Sequence, residues 1–108
     1  MSSPQPAEVW LADLGMATKN RPVIVVSRFD PNAPRALALY VPLTTQNRMS
    51  RYEVALPKLP FLDRDSFANV QGLASMPTVR LERKLGRLPA AVMSELRAAL
   101  VFALDLGA

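Results

Sequence analysis

Residues 21–28 read R-P-V-I-V-V-S-R, and the fold follows from how this stretch is read. Four β-branched side chains in a row, Val23 to Val26, favour an extended backbone and call for burial on both faces, as in a central strand. Pro22 has no N–H to give a sheet ladder, so it belongs at the strand's start. Arg21 then stands at the mouth of a rigid strand, its backbone held and its guanidinium able to reach outward. A second strand is predicted over residues 36–43, running directly into Thr44-Thr45-Gln46. If the two strands pair, Arg21 and the threonines share one rim of the sheet.

Upstream, A-E-V-W-L-A-D-L at 7–14 is predicted as a first strand behind a flexible, proline-rich tail over 1–6. A short loop follows at 15–20, carrying Met16, Thr18 and Lys19. Downstream, Pro31, Asn32 and Pro34 make 29–35 a turn. Residues 46–51 form a polar loop, 52–56 a strand, 57–65 a surface loop, and 66–71 a strand ending at Gly72. Thr78 is a suitable N-cap for a short helix through Leu85, with Gly86 as its stop. Pro89 suits the first turn of a last helix running to about Leu106. Val92, Leu96, Ala99, Leu100 and Ala103 form one apolar stripe on it, and Val101 and Phe102 fall off that stripe. Such a helix is either deeply buried in its own core or packed on a second subunit as well. Together these elements make a single small domain over 7–108, α+β in class and β-rich.

The chain has 108 residues, half of them hydrophobic, which is enough for one core. Its net charge of +4 suits phosphates or an acidic protein partner. It contains neither His nor Cys. That excludes a Ser-His-Asp triad, a thiolate nucleophile, a disulfide framework and a Cys-based zinc site. No glycine-rich phosphate cradle occurs. There is no run long enough to span a membrane and no signal peptide at M-S-S-P-Q-P, so the sequence reads as a soluble cytoplasmic protein.

Five segments in order carry a further signal: E-V-W-L-A-D-L at 8–14, R-P-V-I-V-V-S at 21–27, V-P-L-T-T at 41–45, R-D-S at 64–66 and R-L-E-R-K-L-G-R-L-P at 80–89. Their order and spacing resemble the MazF/PemK/Kid family of toxins from bacterial toxin–antitoxin modules, over roughly residues 8–106. The resemblance implies an SH3-like β-barrel with a C-terminal α-helix, and a homodimer. It also implies an mRNA interferase that cuts single-stranded RNA at a short motif with no metal or other cofactor. The RNA's own 2′-hydroxyl attacks, leaving a 2′,3′-cyclic phosphate and a free 5′-hydroxyl. A cognate antitoxin with an acidic, flexible C-terminal segment is the implied protein partner.

The family's catalytic arginine and threonine fall on Arg21 and Thr44. A guanidinium offers two parallel donors to phosphate oxygens, and a threonine hydroxyl can hold another oxygen or orient the 2′-hydroxyl. Thr45, Gln46, Arg48 and Arg51 are assigned to RNA contacts, although Arg48 and Arg51 taken alone suit solvated loop charges. Asp65-Ser66 reads as a turn before a strand, and Trp10 as core. Arg80, Arg83, Lys84 and Arg87 read as the solvated face of the short helix, with Glu82, outside the site. Two departures from the family pattern stand out: the 15–20 loop is short and lacks a G-x-E-Q-like segment, and 67–77 contain no acid. The short loop favours the alternatives, a non-catalytic CcdB-like inhibitor of a protein such as a topoisomerase, or an inactive antitoxin-binding relic, while the retained Arg-Pro and Thr cluster favours the ribonuclease.

Overall fold

A computed structural model describes residues 3–15 and 20–107; Met16, Thr18 and Lys19 of the first loop lie outside the described residues. The elements are β1 (Glu8–Ala12), β2 (Arg21–Val25), β3 (Leu37–Thr44), β4 (Glu53–Ala55), β5 (Phe67–Asn69), β6 (Ala74–Pro77), β7 (Leu81–Arg87) and α1 (Ala90–Ala103). The strands form one antiparallel sheet in the order β4-β5-β3-β2-β1-β7, with β6 also on β3. The fold is the β-rich α+β class expected. Its two end strands, β4 and β7, do not pair among the described residues, so the barrel is open where a closed one was implied.

β2 is central, as its composition requires. Val23 and Val25 point into one core cluster with Trp10, Ala12, Ala38, Met76 and Leu81. Ile24 points the other way, into a larger cluster with Val9, Val41, Val92, Met93 and Leu96 beneath α1. Period-2 alternation sends successive β-branched side chains into two separate cores, and all three residues are fully buried. Trp10 is core as expected, and its indole N–H donates to Glu8 Oε1 at 3.0 Å.

β3 holds the sheet's curl. Its middle pairs β2, while its other edge meets β6 along Leu37 to Tyr40 and β5 at Leu43 and Thr44. The predicted strand over 66–71 thus does not end at Gly72. It breaks into a single 3-10 turn at Val70–Gly72 and resumes as β6. The break lies beside Pro42, which has no N–H for the ladder. A Cβ at Gly72 would come within 2.6 Å of the Pro42 ring, so the close backbone approach there needs glycine.

The helix expected over residues 78–85 is absent. Thr78–Arg80 make one 3-10 turn and Leu81–Arg87 form β7 against β1. The expectation rested on Thr78 as a cap and Gly86 as a stop. Thr78 instead opens the 3-10 turn after Pro77, with no side-chain cap, and the leucines that follow have a spacing that also suits a helix. Leu81, Leu85 and Leu88 are spaced i, i+4, i+7 and all pack in the cores, which is helical periodicity. In β7 that spacing arises from two register shifts against β1, where extra residues reset the alternation. Gly86 stops no helix; the Phe61 ring lies on it, 2.3 Å from where a Cβ would stand.

Within β1, Glu8 is a carboxylate only 5% exposed. Burial raises its pKa, but the Gln5 backbone N–H, the Trp10 indole and Lys84 outweigh that and leave it lowered. Lys84 Nζ sits 3.0 Å from Glu8 Oε2, and Arg87 Nη1 3.9 Å. Part of the supposed solvated helix face therefore ties β7 to β1. α1 buries Val92, Leu96 and Ala99 of the foreseen stripe together with Met93, while Leu100 and Ala103 are half-buried against the same core. Val101, Phe102 and Leu104 near its end stay exposed.

Candidate active site

The β2–β3 register pairs Val23 with Pro42 and Ile24 with Val41; continued by two residues, it sets Arg21 opposite Thr44. The β3–β5 register pairs Thr44 with Phe67, which places Ser66 one step beyond, level with Thr45. Three strand ends thus meet at one rim. Arg21, Pro22, Leu43, Thr44, Thr45, Gln46 and Ser66 line a cleft of about 320 Å³ there. The strands fix the backbones of Arg21 and Thr44, while the guanidinium stands in the exposed mouth. Asn20, just before Arg21, donates through its side-chain amide to Glu82 Oε1 and so ties the strand's entry to β7.

Hydrogen bonds within the rim set which groups can give and which can receive. Thr44 Oγ1 accepts the Gln46 backbone N–H at 3.1 Å, which leaves the threonine's own proton to donate. Gln46 Oε1 accepts from Arg48 Nη2 at 3.0 Å, turning the Gln46 amide N–H donors to other use and bringing a second guanidinium alongside. Arg48's backbone N–H is in turn held by Glu53 Oε1 at 2.9 Å. The described lining contains one cation, neutral hydroxyls and an amide, and no carboxylate. That is a surface for a phosphate.

Of the six residues singled out in the sequence, four line the cleft: Arg21, Thr44, Thr45 and Gln46. Arg48 joins them through Gln46. Arg51 does not line it; its guanidinium carbon lies 3.7 Å from the Phe102 ring centroid, a cation–π contact at the end of α1. Ser66 is the lining residue that sequence reasoning left out, taken as a mere turn. Its only signal was its place in the R-D-S segment, since the pairing of β5 with β3 is not visible in local sequence.

Comparison with known proteins gives a consistent result. A family model described as "PemK-like, MazF-like toxin of type II toxin-antitoxin system" matches residues 5–104. The chain is 31% identical to Endoribonuclease MazF6 of Mycobacterium tuberculosis over 112 aligned residues, covering 93% of this chain and 96% of that protein. It is similar to the same extent to Endoribonuclease MazF2 of Mycobacterium bovis. A solved mycobacterial endoribonuclease in complex with its cognate antitoxin superposes with a TM-score of 0.85 at 27% identity, covering 98% of this chain and 99% of that one. The Mycobacterium tuberculosis toxin MazF-mt6 does so at 0.81 and 26% identity, covering 94% and 99%.

Proposed function

The chain belongs to the PemK-like, MazF-like toxins of type II toxin–antitoxin systems, and from that membership we infer that it is a toxin endoribonuclease, an mRNA interferase cutting single-stranded RNA. The observation that carries the mechanism is the meeting of Arg21 and Thr44 at one carboxylate-free cleft. Arg21 faces the scissile phosphate and offers paired N–H donors to the oxygens that gain charge. Thr44, its oxygen already engaged by the Gln46 N–H, donates its proton to a further phosphate oxygen. Thr45, Gln46 and Arg48 contact the RNA beside it. The bond from the 2′-oxygen to phosphorus forms as the bond to the 5′-oxygen breaks. One proton leaves the 2′-hydroxyl and one is taken up by the departing 5′-oxygen, giving a 2′,3′-cyclic phosphate and a 5′-hydroxyl. With no carboxylate or imidazole among the described lining residues, the rate gain comes from stabilising phosphate charge and holding the in-line geometry.

The basic chain suits both an RNA backbone and a cognate antitoxin with an acidic C-terminal segment. Such a toxin works in the cytoplasm, where messenger RNA is translated, and no helix among the described residues is long and apolar enough to cross a membrane. The non-catalytic inhibitor of a protein target is the weaker reading, because it gives the Arg21–Thr44 cleft no task.

The test is cleavage of single-stranded RNA by the purified protein in excess EDTA. Products ending in 2′,3′-cyclic phosphate are expected. The reason is the lining itself, which offers a hard cation none of the carboxylate oxygens it prefers. Activity that appears only on adding a divalent ion sinks the mechanism, and no cleavage under any condition sinks the assignment.

A further inference from the structure

We propose that Ser66 accepts a hydrogen bond from the attacking 2′-hydroxyl and aims it at the phosphorus; this rests on the ribonuclease reading above. An in-line attack needs two kinds of partner. The phosphate needs donors, and the nucleophilic hydroxyl needs an acceptor. Arg21 can only donate. Thr44 has a lone pair occupied by the Gln46 N–H and its proton to give. Gln46 has one lone pair of its carbonyl oxygen engaged by Arg48, and its amide nitrogen only donates. Ser66 is the reverse case. Its Oγ donates to the Arg64 carbonyl at 3.0 Å, which commits its single proton and leaves lone pairs that only accept.

The topology places this acceptor on the same rim as the two donors. β3 lies between β2 and β5, so the rim runs from Arg21 through Thr44 to Ser66. On this proposal the RNA strand runs along the rim so that, with its phosphate held by the first two residues, the 2′-hydroxyl of the preceding ribose lies on the Ser66 side. The contact is a hydrogen bond, and Ser66 takes no proton. Thr45, exposed at the same rim, can turn its hydroxyl either way and is the rival acceptor.

The experiment first maps the bond that the parent protein cuts. Two oligonucleotides are then made that differ only in a 2′-hydroxyl or a 2′-hydrogen at the attacking nucleotide. Their affinities are measured in the cleavage-impaired Arg21→Ala background, with and without Ser66→Ala. Arg21→Ala should prefer the ribose form by about two- to tenfold, the worth of one net hydrogen bond. Adding Ser66→Ala should make the two affinities equal while leaving that for the 2′-hydrogen form unchanged, which also reports an intact fold. Ser66→Ala alone should slow cleavage at saturating RNA. A ribose preference that survives Ser66→Ala, that is missing from Arg21→Ala, or that is lost instead with Thr45→Val overturns the proposal. If the parent cuts RNA and the preference persists without Ser66, only this inference falls. If the parent cuts nothing, the ribonuclease reading falls and takes this with it.

Discussion

Arg21 is useful to a phosphate because the two ends of the residue are treated differently: its backbone is paired with Ala12 of β1, and its side chain stands exposed at the cleft. Arg21→Ala should therefore leave the fold intact and lower the cleavage rate about a hundred- to a thousandfold, the usual cost of one charge-stabilising donor at a reacting centre. Arg21→Lys should recover little, since an ammonium cannot supply two parallel donors. Thr44→Ala should slow cleavage as well. Arg83→Ala, at an exposed position of β7, is the control and should cut nearly as fast as the parent. An Arg21→Ala protein that is folded and cleaves at the parent rate removes Arg21 from the site. That Arg21 and Thr44 share one rim was legible because Pro22 and the Thr-Thr pair mark where two strands begin and end. Arg51 was not, because its partner Phe102 lies 51 residues further along the chain, a proximity that only tertiary packing creates. Ser66 stayed hidden for the same reason.

Elements with a plain period were readable, and those with a broken period were not. β2 is an unbroken β-branched run buried on both faces, and α1 carries an apolar stripe. β7 carries two register shifts that give its leucines helical spacing, and the β5–β6 segment is interrupted by a turn. Two predictions belong to β7. Gly86→Ala sets a Cβ into the Phe61 ring and should cost about 1–3 kcal/mol in denaturant unfolding, as overpacking does. The same change in a Phe61→Leu background should cost clearly less, and equal costs would mean the ring is not the obstacle. The second concerns Glu8, which links β1 to β7 with a pKa lowered from its ordinary 4.5. A lowered folded value means the charged carboxylate stabilises the protein above about pH 4.5, and that this stability is lost as pH falls through the folded value. Glu8→Gln should thus melt earlier than the parent at pH 7. The gap should close progressively on acidification below pH 4.5; a gap constant from pH 7 to 3 would show that the charge contributes nothing.

As a whole, the molecule leaves more apolar surface outside than its two cores account for. Val101 is 42% exposed, Leu104 49% and Leu106 70%, all at the end of α1. Phe102 beside them is braced by Arg51 and by Tyr52, whose ring centroid is 5.3 Å away. Bracing an aromatic at the edge of such a patch fixes its shape, which lowers the ordering cost of docking onto it. Burying the patch is worth roughly 25 cal/mol per Å² of apolar area. A second copy of the chain is the partner always present at equal concentration, and a two-fold axis lets one patch serve both subunits. Light scattering at micromolar concentration should therefore give twice the 11.8 kDa chain mass. Val101→Glu with Leu104→Glu should shift the protein to monomer with its helix content retained, because both side chains project outward and neither supports the core. Leu39→Lys, at an exposed position of β3, should remain dimeric. A monomer in the parent rules the interface out, and a dimer broken by Leu39→Lys but not by the helix pair moves it to the exposed leucines of β3.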